Sequence, residues 1–270
     1  MNHVCSVDYL EDQQVMFSKA WFAYPRMTFR ISRSLASSVT LGISFFFVSL
    51  NAWAACSGDT VISTNITTQQ INGSELCSFT VNTTGTISTS LTGSSGDDIS
   101  NNGTITTLNN IGSISTSGSD AYGVYNQRTI TTLNNTGSIS TSNTIAYGIG
   151  NSGTITTLNN TGSISTSGSG AYGIGNYGTI TTLNNRGSIS TAGGSNYGIS
   201  NSGSITTLNN QQGKSGNNPL TFSGRLPSNY NIIIASSTNY GQLSIFTPSS
   251  KMVFSISSLS STNSSIVGQT

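Results

Sequence analysis

Charge is what this 270-residue sequence has least of. Asp, Glu, Lys and Arg make up 6% of it, against about 25% in an ordinary globular protein. The formal net charge is +1, so there is no field to draw in nucleic acid or an anionic membrane. The basic residues Arg128, Arg186, Lys214, Arg225 and Lys251 stand singly, without the clustering that a nucleic-acid footprint needs. The 1 His is His3, so no serine in the body of the chain has an imidazole partner, and no Gly-x-Ser-x-Gly elbow occurs. No phosphate loop ending in Gly-Lys-Ser/Thr at the required spacing is present. With 4 Pro and no Gly-X-Y period, collagen is excluded. The acids after residue 54 are Asp59, Glu75, Asp97, Asp98 and Asp120. Glycoside cleavage uses two facing carboxylates. Asp97 and Asp98 are adjacent, and neighbours on a strand point opposite ways, so the expectation for them is a solvated loop. No catalytic, cofactor-binding or metal-binding residue is assigned, and no cofactor is expected.

Residues 1–26 form an N-terminal extension that the sequence reads as a misassigned start. Residues 27–54, "MTFRISRSLASSVTLGISFFFVSLNAWA", then read as a secretory signal peptide: Arg30 and Arg33, an apolar core, and Ala52-Trp53-Ala54 before the cut. The apolar run is too short for a membrane anchor. Export by the Sec route to the surface, the medium or the periplasm is the expectation. It leaves Cys56 and Cys77 as the remaining cysteines. Without a nearby His they are poor metal ligands. A disulfide between them would close a loop of about 20 residues and contribute roughly 3 kcal/mol.

What the chain has instead is a gap-free repeat of 25 residues. Thr104 to Asn110, "TITTLNN", recurs at Thr129, Thr154 and Thr179, and from Ser204 with one change. "GSIST" starts at Gly112, Gly137, Gly162 and Gly187, and Tyr-Gly-Val/Ile at Tyr122, Tyr147, Tyr172 and Tyr197. Density in Gly, Asn and β-branched residues rules out helix. The segments, none longer than about five residues, are too short for an up-and-down barrel, and the unit is too short for a propeller blade. The pattern predicts an all-β fold, a right-handed parallel β-helix (solenoid) with one unit of three short strands per coil.

In that fold Ile105, Ile130, Ile155, Ile180 and Ile205 stack as one interior row, and Leu108, Leu133, Leu158, Leu183 and Leu208 as a second. Ile114, Ile139, Ile164 and Ile189 give a third row, and Val124, Ile149, Ile174 and Ile199 a fourth. Each coil buries its neighbours' faces. Asn109, Asn134, Asn159, Asn184 and Asn209 stack at a corner as an amide ladder. Asn-Asn then acts as a turn, and the turn glycines supply positive φ. The facing of the Tyr row is left open by the pattern. Residues 55–81 are expected to cap the array at 82–213, and residues 214–270 to add β-rich irregular coils or a C-terminal cap.

The exported N-terminus, the repeated "TLNNxGSIST…YGI" and the following "LPSNYNIIIASSTNYGQLS" together resemble the passenger region of bacterial type V autotransporters, over about residues 27–260. The resemblance implies a β-helix passenger carried to the cell surface by a C-terminal membrane barrel, with roles in adhesion or autoaggregation. No barrel follows in this sequence, so a fragment, a split passenger or release by another route is expected. The function expected is a non-enzymatic stalk or adhesin. Its partners would be host or neighbouring-cell surface molecules, glycans or further copies of the chain, and not nucleic acid. The alternatives are a polysaccharide-processing β-helix enzyme and a truncated product without independent function.

Overall fold

The structure is a computed structural model, which describes residues 60–67, 69–71, 76–192, 196–213 and 218–261. The extension, the signal peptide and Cys56 lie outside these residues, and with Cys56 goes the expected disulfide. Cys77 falls in the strand Leu76–Val81.

The described chain is a parallel β-solenoid of about 7 turns, with no α-helix. Each regular coil contributes one strand to each of three sheets. Thr104–Asn110, Ser113–Thr116 and Val124–Asn126 make one coil. Their equivalents in the next coil are Thr129–Asn135, Ser138–Thr141 and Ile149–Asn151. The three sheets hold 9, 6 and 8 strands. Pairing is parallel with like residues facing, as in Ile130 with Ile105 and Ile155, or Ile139 with Ile114 and Ile164. The coil repeat is thus the sequence repeat.

Two details differ from expectation. The first-sheet strands are 7 residues long and include both asparagines. Alternation within them is broken once. Thr106 and Thr107 both face away from the core, and Thr106 and Thr131 are skipped in the ladder. This local bulge brings Leu108 inward three residues after Ile105 and puts Asn110 inside as well. The turn falls one step later, where Thr136 and Gly137 both donate their N–H groups to the Asn110 carbonyl of the preceding coil at 2.8 and 3.0 Å.

The repeat glycines serve close stacking rather than positive φ. A Cβ on Gly137 would lie 2.1 Å from the Gly112 carbonyl oxygen, so the coils meet at the turn without room for a side chain. The left-handed conformation falls elsewhere, at Asp120, Ile145 and Gly170, one coil apart in the loop before the third sheet.

The core is the set of stacked rows. Ile105, Ile130, Ile155, Ile180 and Ile205, and Leu108, Leu133, Leu158, Leu183 and Leu208, are all at most 1% exposed. The isoleucines of the second sheet and Val124, Ile149, Ile174 and Ile199 of the third complete it. Burying each of these side chains stabilises by about 1.5–3 kcal/mol before conformational entropy is counted.

The stacking extends past the regular array at both ends. Thr60–Ile62 and Leu76–Val81 join the first sheet below Thr104–Asn110, and Asn229–Ile232 and Val253–Ile256 continue it above. Leu220–Gly224 and Leu243–Pro248 continue the third. Among the described residues the last strand of the second sheet is Ser188–Thr191. The row Leu208, Tyr230, Phe254 carries the core upward, and Phe254 is 60% exposed in the last described coil.

Candidate functional site

Four features of the solenoid carry polar or aromatic chemistry. The first is a set of three amide ladders. Asn109, Asn134, Asn159, Asn184 and Asn209 sit on the outer side of the first sheet. Each amide donates to the preceding coil, Asn134 to Asn109 at 2.8 Å and Asn209 to Asn184 at 2.6 Å. The second ladder, Asn110, Asn135, Asn160, Asn185 and Asn210, is fully buried and runs the other way, each Nδ2 donating to the next coil at 2.7 to 3.0 Å. The third, Asn101, Asn126, Asn151, Asn176 and Asn201, is also buried and shares that direction. The remaining amide hydrogen donates to a backbone carbonyl across the turn, as from Asn135 to Ser163 at 3.1 Å. Sequence reasoning named the outer ladder and missed both buried ones. For the Asn110 ladder Ile-x-x-Leu was the signal, because it breaks the alternation and fixes which of the two asparagines after it turns inward.

The second feature is the tyrosine row. Tyr122, Tyr147 and Tyr172 stack with ring centroids 5.0 Å apart, Tyr197 follows at 6.1 Å, and Phe246 extends the row at 5.1 Å. The rings lie over the outer face of the third sheet, where Gly150 and Gly175 leave room. A Cβ on Gly175 would meet the Tyr147 ring at 2.6 Å. Ring faces are therefore taken up by one another and by backbone; Tyr122, Tyr172 and Tyr197 are half-buried and Tyr147 is buried. Tyr147 and Tyr177 share a hydrogen bond of 3.1 Å. Burial, with the neighbouring Tyr125, Tyr177, Asp97 and Asp120, pushes the Tyr122 phenol up to about 12.

The third feature is an open groove of about 430 Å³ along the second sheet. Its lining is almost wholly hydroxyl: the rows through Ser115, Thr116 and Ser117, repeated in each coil from Ser88 to Ala192. No charged side chain lines it. A smaller groove runs beside the outer asparagine ladder between Ile111, Thr136 and Thr161. On the first sheet Thr106, Thr131, Thr156, Thr181 and Thr206 stand fully outward.

The fourth feature corrects an expectation. Asp97 and Asp98 are not in a solvated loop. Both are 0% exposed. Asp97 Oδ1 accepts from the Tyr122 N–H at 2.8 Å, while its other oxygen and both oxygens of Asp98 have no hydrogen-bond partner. Burial raises the Asp97 carboxyl to about 7, against the partial relief of the Tyr122 amide. Burial and then the Asp97 charge raise Asp98 to about 9, offset in part by the backbone of Thr89. The signal lay in the repeat: one coil back from Tyr122-Gly123, the 25-residue register reads Asp97-Asp98. Asp98 falls in register with the buried glycine row, and Asp97 with the tyrosine row packed on the third sheet.

Among the described residues no three His, Cys, Asp or Glu side chains come together, and no helix is long and apolar enough to cross a membrane. No protein-family model matches the chain, and no curated protein or solved structure is similar to it.

Proposed function

We propose that the chain is a non-enzymatic, surface-exposed or secreted passenger that works as a stalk or adhesin, contacting glycans or other cell-surface molecules through its outward rows. One observation carries the reading: several coils present the same uncharged hydroxyl and amide side chains in register, and the hydroxyl-lined groove spans them continuously. Such a surface offers an extended polar polymer the same contacts at each coil, about 4.8 Å apart along the axis. Single hydroxyl contacts are weak, so many in series supply the affinity. The inward rows are apolar or asparagine, and the buried asparagine amides are taken up by one another and by backbone carbonyls. The only adjacent acids described are buried away from any substrate.

The test is retention of the purified chain on glycan arrays and on cells, beside two controls. One is Ile155→Asp, which places a charge in the core and unfolds the array. The other is the folded double variant Ser140→Arg/Ser165→Arg, which blocks the groove. Binding by wild type that both controls lose supports the reading. Signals equal to those of the unfolded control on every surface would sink it.

A further inference from the structure

We propose that Asp97 and Asp98 form a protonation switch in the wall of the second coil, which keeps the first two coils closed while it holds its protons and opens them to water when it loses them. Their placement in the repeat is the first ground. The Asp98 N–H donates to the Tyr122 carbonyl at 3.0 Å, as those of Gly123 and Gly148 donate to Tyr147 and Tyr172. Asp98 therefore occupies the glycine row and Asp97 the tyrosine row. A side chain in the glycine row heads for the core: a Cβ on Gly123 would come within 2.7 Å of the Ile139 methyl and one on Gly148 within 2.5 Å of that of Ile164. The regular coils keep this row empty of side chains, at Gly123, Gly148, Gly173 and Gly198. The second coil alone puts a carboxyl there.

The second ground is how little compensates the pair: the Tyr122 amide bonds one oxygen of Asp97, and the Thr89 backbone gives Asp98 partial relief. Three of the four carboxyl oxygens are buried without a partner. The charge that acts on Asp98 is Asp97, another acid, and no Lys, Arg or His acts on either carboxyl among the described residues. Tyr122, packed against the pair from the next coil, is itself held neutral and feels Asp97 and Asp120. A buried carboxyl in that setting stays neutral, and ionising it requires water. The folded chain holds these protons more tightly than the unfolded chain, whose carboxyls release theirs near 4. The contribution to stability is therefore complete below about pH 4 and is lost as pH rises through about 7 and then about 9. The loss is local, because in a solenoid each coil is held only by its neighbours. The first two coils, Thr60–Ile62 through Ile99–Asn101, form the end that opens.

The experiment is amide hydrogen exchange on the full chain from pH 5 to 9, with protection in Thr86–Thr89 expressed relative to Thr154–Asn160 so that intrinsic base catalysis cancels. In wild type the ratio is expected to fall at least tenfold across that range. In Asp97→Asn/Asp98→Asn, which removes both titrating groups, it should stay within about twofold, while Asp98→Asn alone should keep the part of the fall that Asp97 gives near pH 7. Should the double Asn variant fold poorly, Asp97→Tyr/Asp98→Gly restores the phrase of the regular coils and should likewise give a flat ratio. A fall of equal size in wild type and double variant would overturn the proposal. So would protection at pH 9 that returns on adding calcium in wild type and not in the double variant, since the pair would then be holding a cation and not a proton.

Discussion

At the scale of single residues, two adjacent asparagines of one sequence phrase have opposite environments. Asn159 bonds on the half-exposed side of the first sheet, and Asn160 lies fully buried one position on. Removing the first lets water take over its partners. Removing the second strands the Asn135 donor and the Asn185 acceptor in the interior, at about 1–3 kcal/mol for each group left unsatisfied. Asn160→Ala is therefore expected to lower the urea midpoint clearly, and Asn159→Ala to cost about 1 kcal/mol or less. Equal losses would mean that the bulge at Thr106–Thr107 and its counterparts does not set the phase. The buried ladder also has an unfinished end. Val81 stands where the coil below Asn110 would need an amide, and Asn110 Oδ1 has no partner. Asn110→Ala should then cost less than Asn160→Ala, because one acceptor there is already unpaired.

At the scale of elements, the edge of the last described strand in the second sheet is handled by one side chain. Among the described residues no strand follows Ser188–Thr191 in that sheet, and its edge groups at Ile189 need other partners. Gln212 supplies them. Its Oε1 accepts from the Ile189 N–H at 2.8 Å and from Asn185 at 3.0 Å, and its Nε2 donates to the Ile189 carbonyl at 2.9 Å. The side-chain amide thus bonds the Ile189 N–H and carbonyl as the peptide group of a neighbouring strand would. In the repeat the position after the variable residue is glycine, so "NNQQG" in place of "NNxGS" marks the spot. Gln212→Ala is expected to destabilise by about 1–3 kcal/mol and to speed exchange of the Ile189 amide relative to Ile164. Unchanged relative exchange would show that water seals the edge equally well. Sequence could show that the period broke here. It could not show the amide acting as a strand, because that depends on a contact between residues 23 apart whose geometry only the stacked coils define.

At the scale of the whole molecule, what was legible is what repetition enforces. Ile and Leu recurring at 25 residues specify stacked coils, since an interior row is buried only when every coil keeps the same phase. The rest was illegible where the period is silent: the bulge, the facing of the tyrosines over Gly150 and Gly175, and the burial of Asp97 and Asp98 all depend on local packing between coils. The same logic gives a test of the architecture that no point mutation can give. Deleting residues 154–178 joins Gly153 to Thr179 and leaves every row intact, with one coil fewer. The shortened chain should fold, keep its β-rich circular dichroism, and unfold cooperatively with a smaller dependence on denaturant, because less surface is exposed. Deleting residues 154–177 instead removes one residue less than a coil. The leftover glycine slips the register by one, and a one-residue slip in a strand exchanges inward and outward faces. Either the turn absorbs the extra residue at a local cost, or Ile180 and Leu183 face water and the array fails. The prediction is a clear loss of stability for the second deletion relative to the first, read from paired urea melts. Two deletions of indistinguishable stability would mean that the rows of Ile, Leu and Asn do not hold the coils in register.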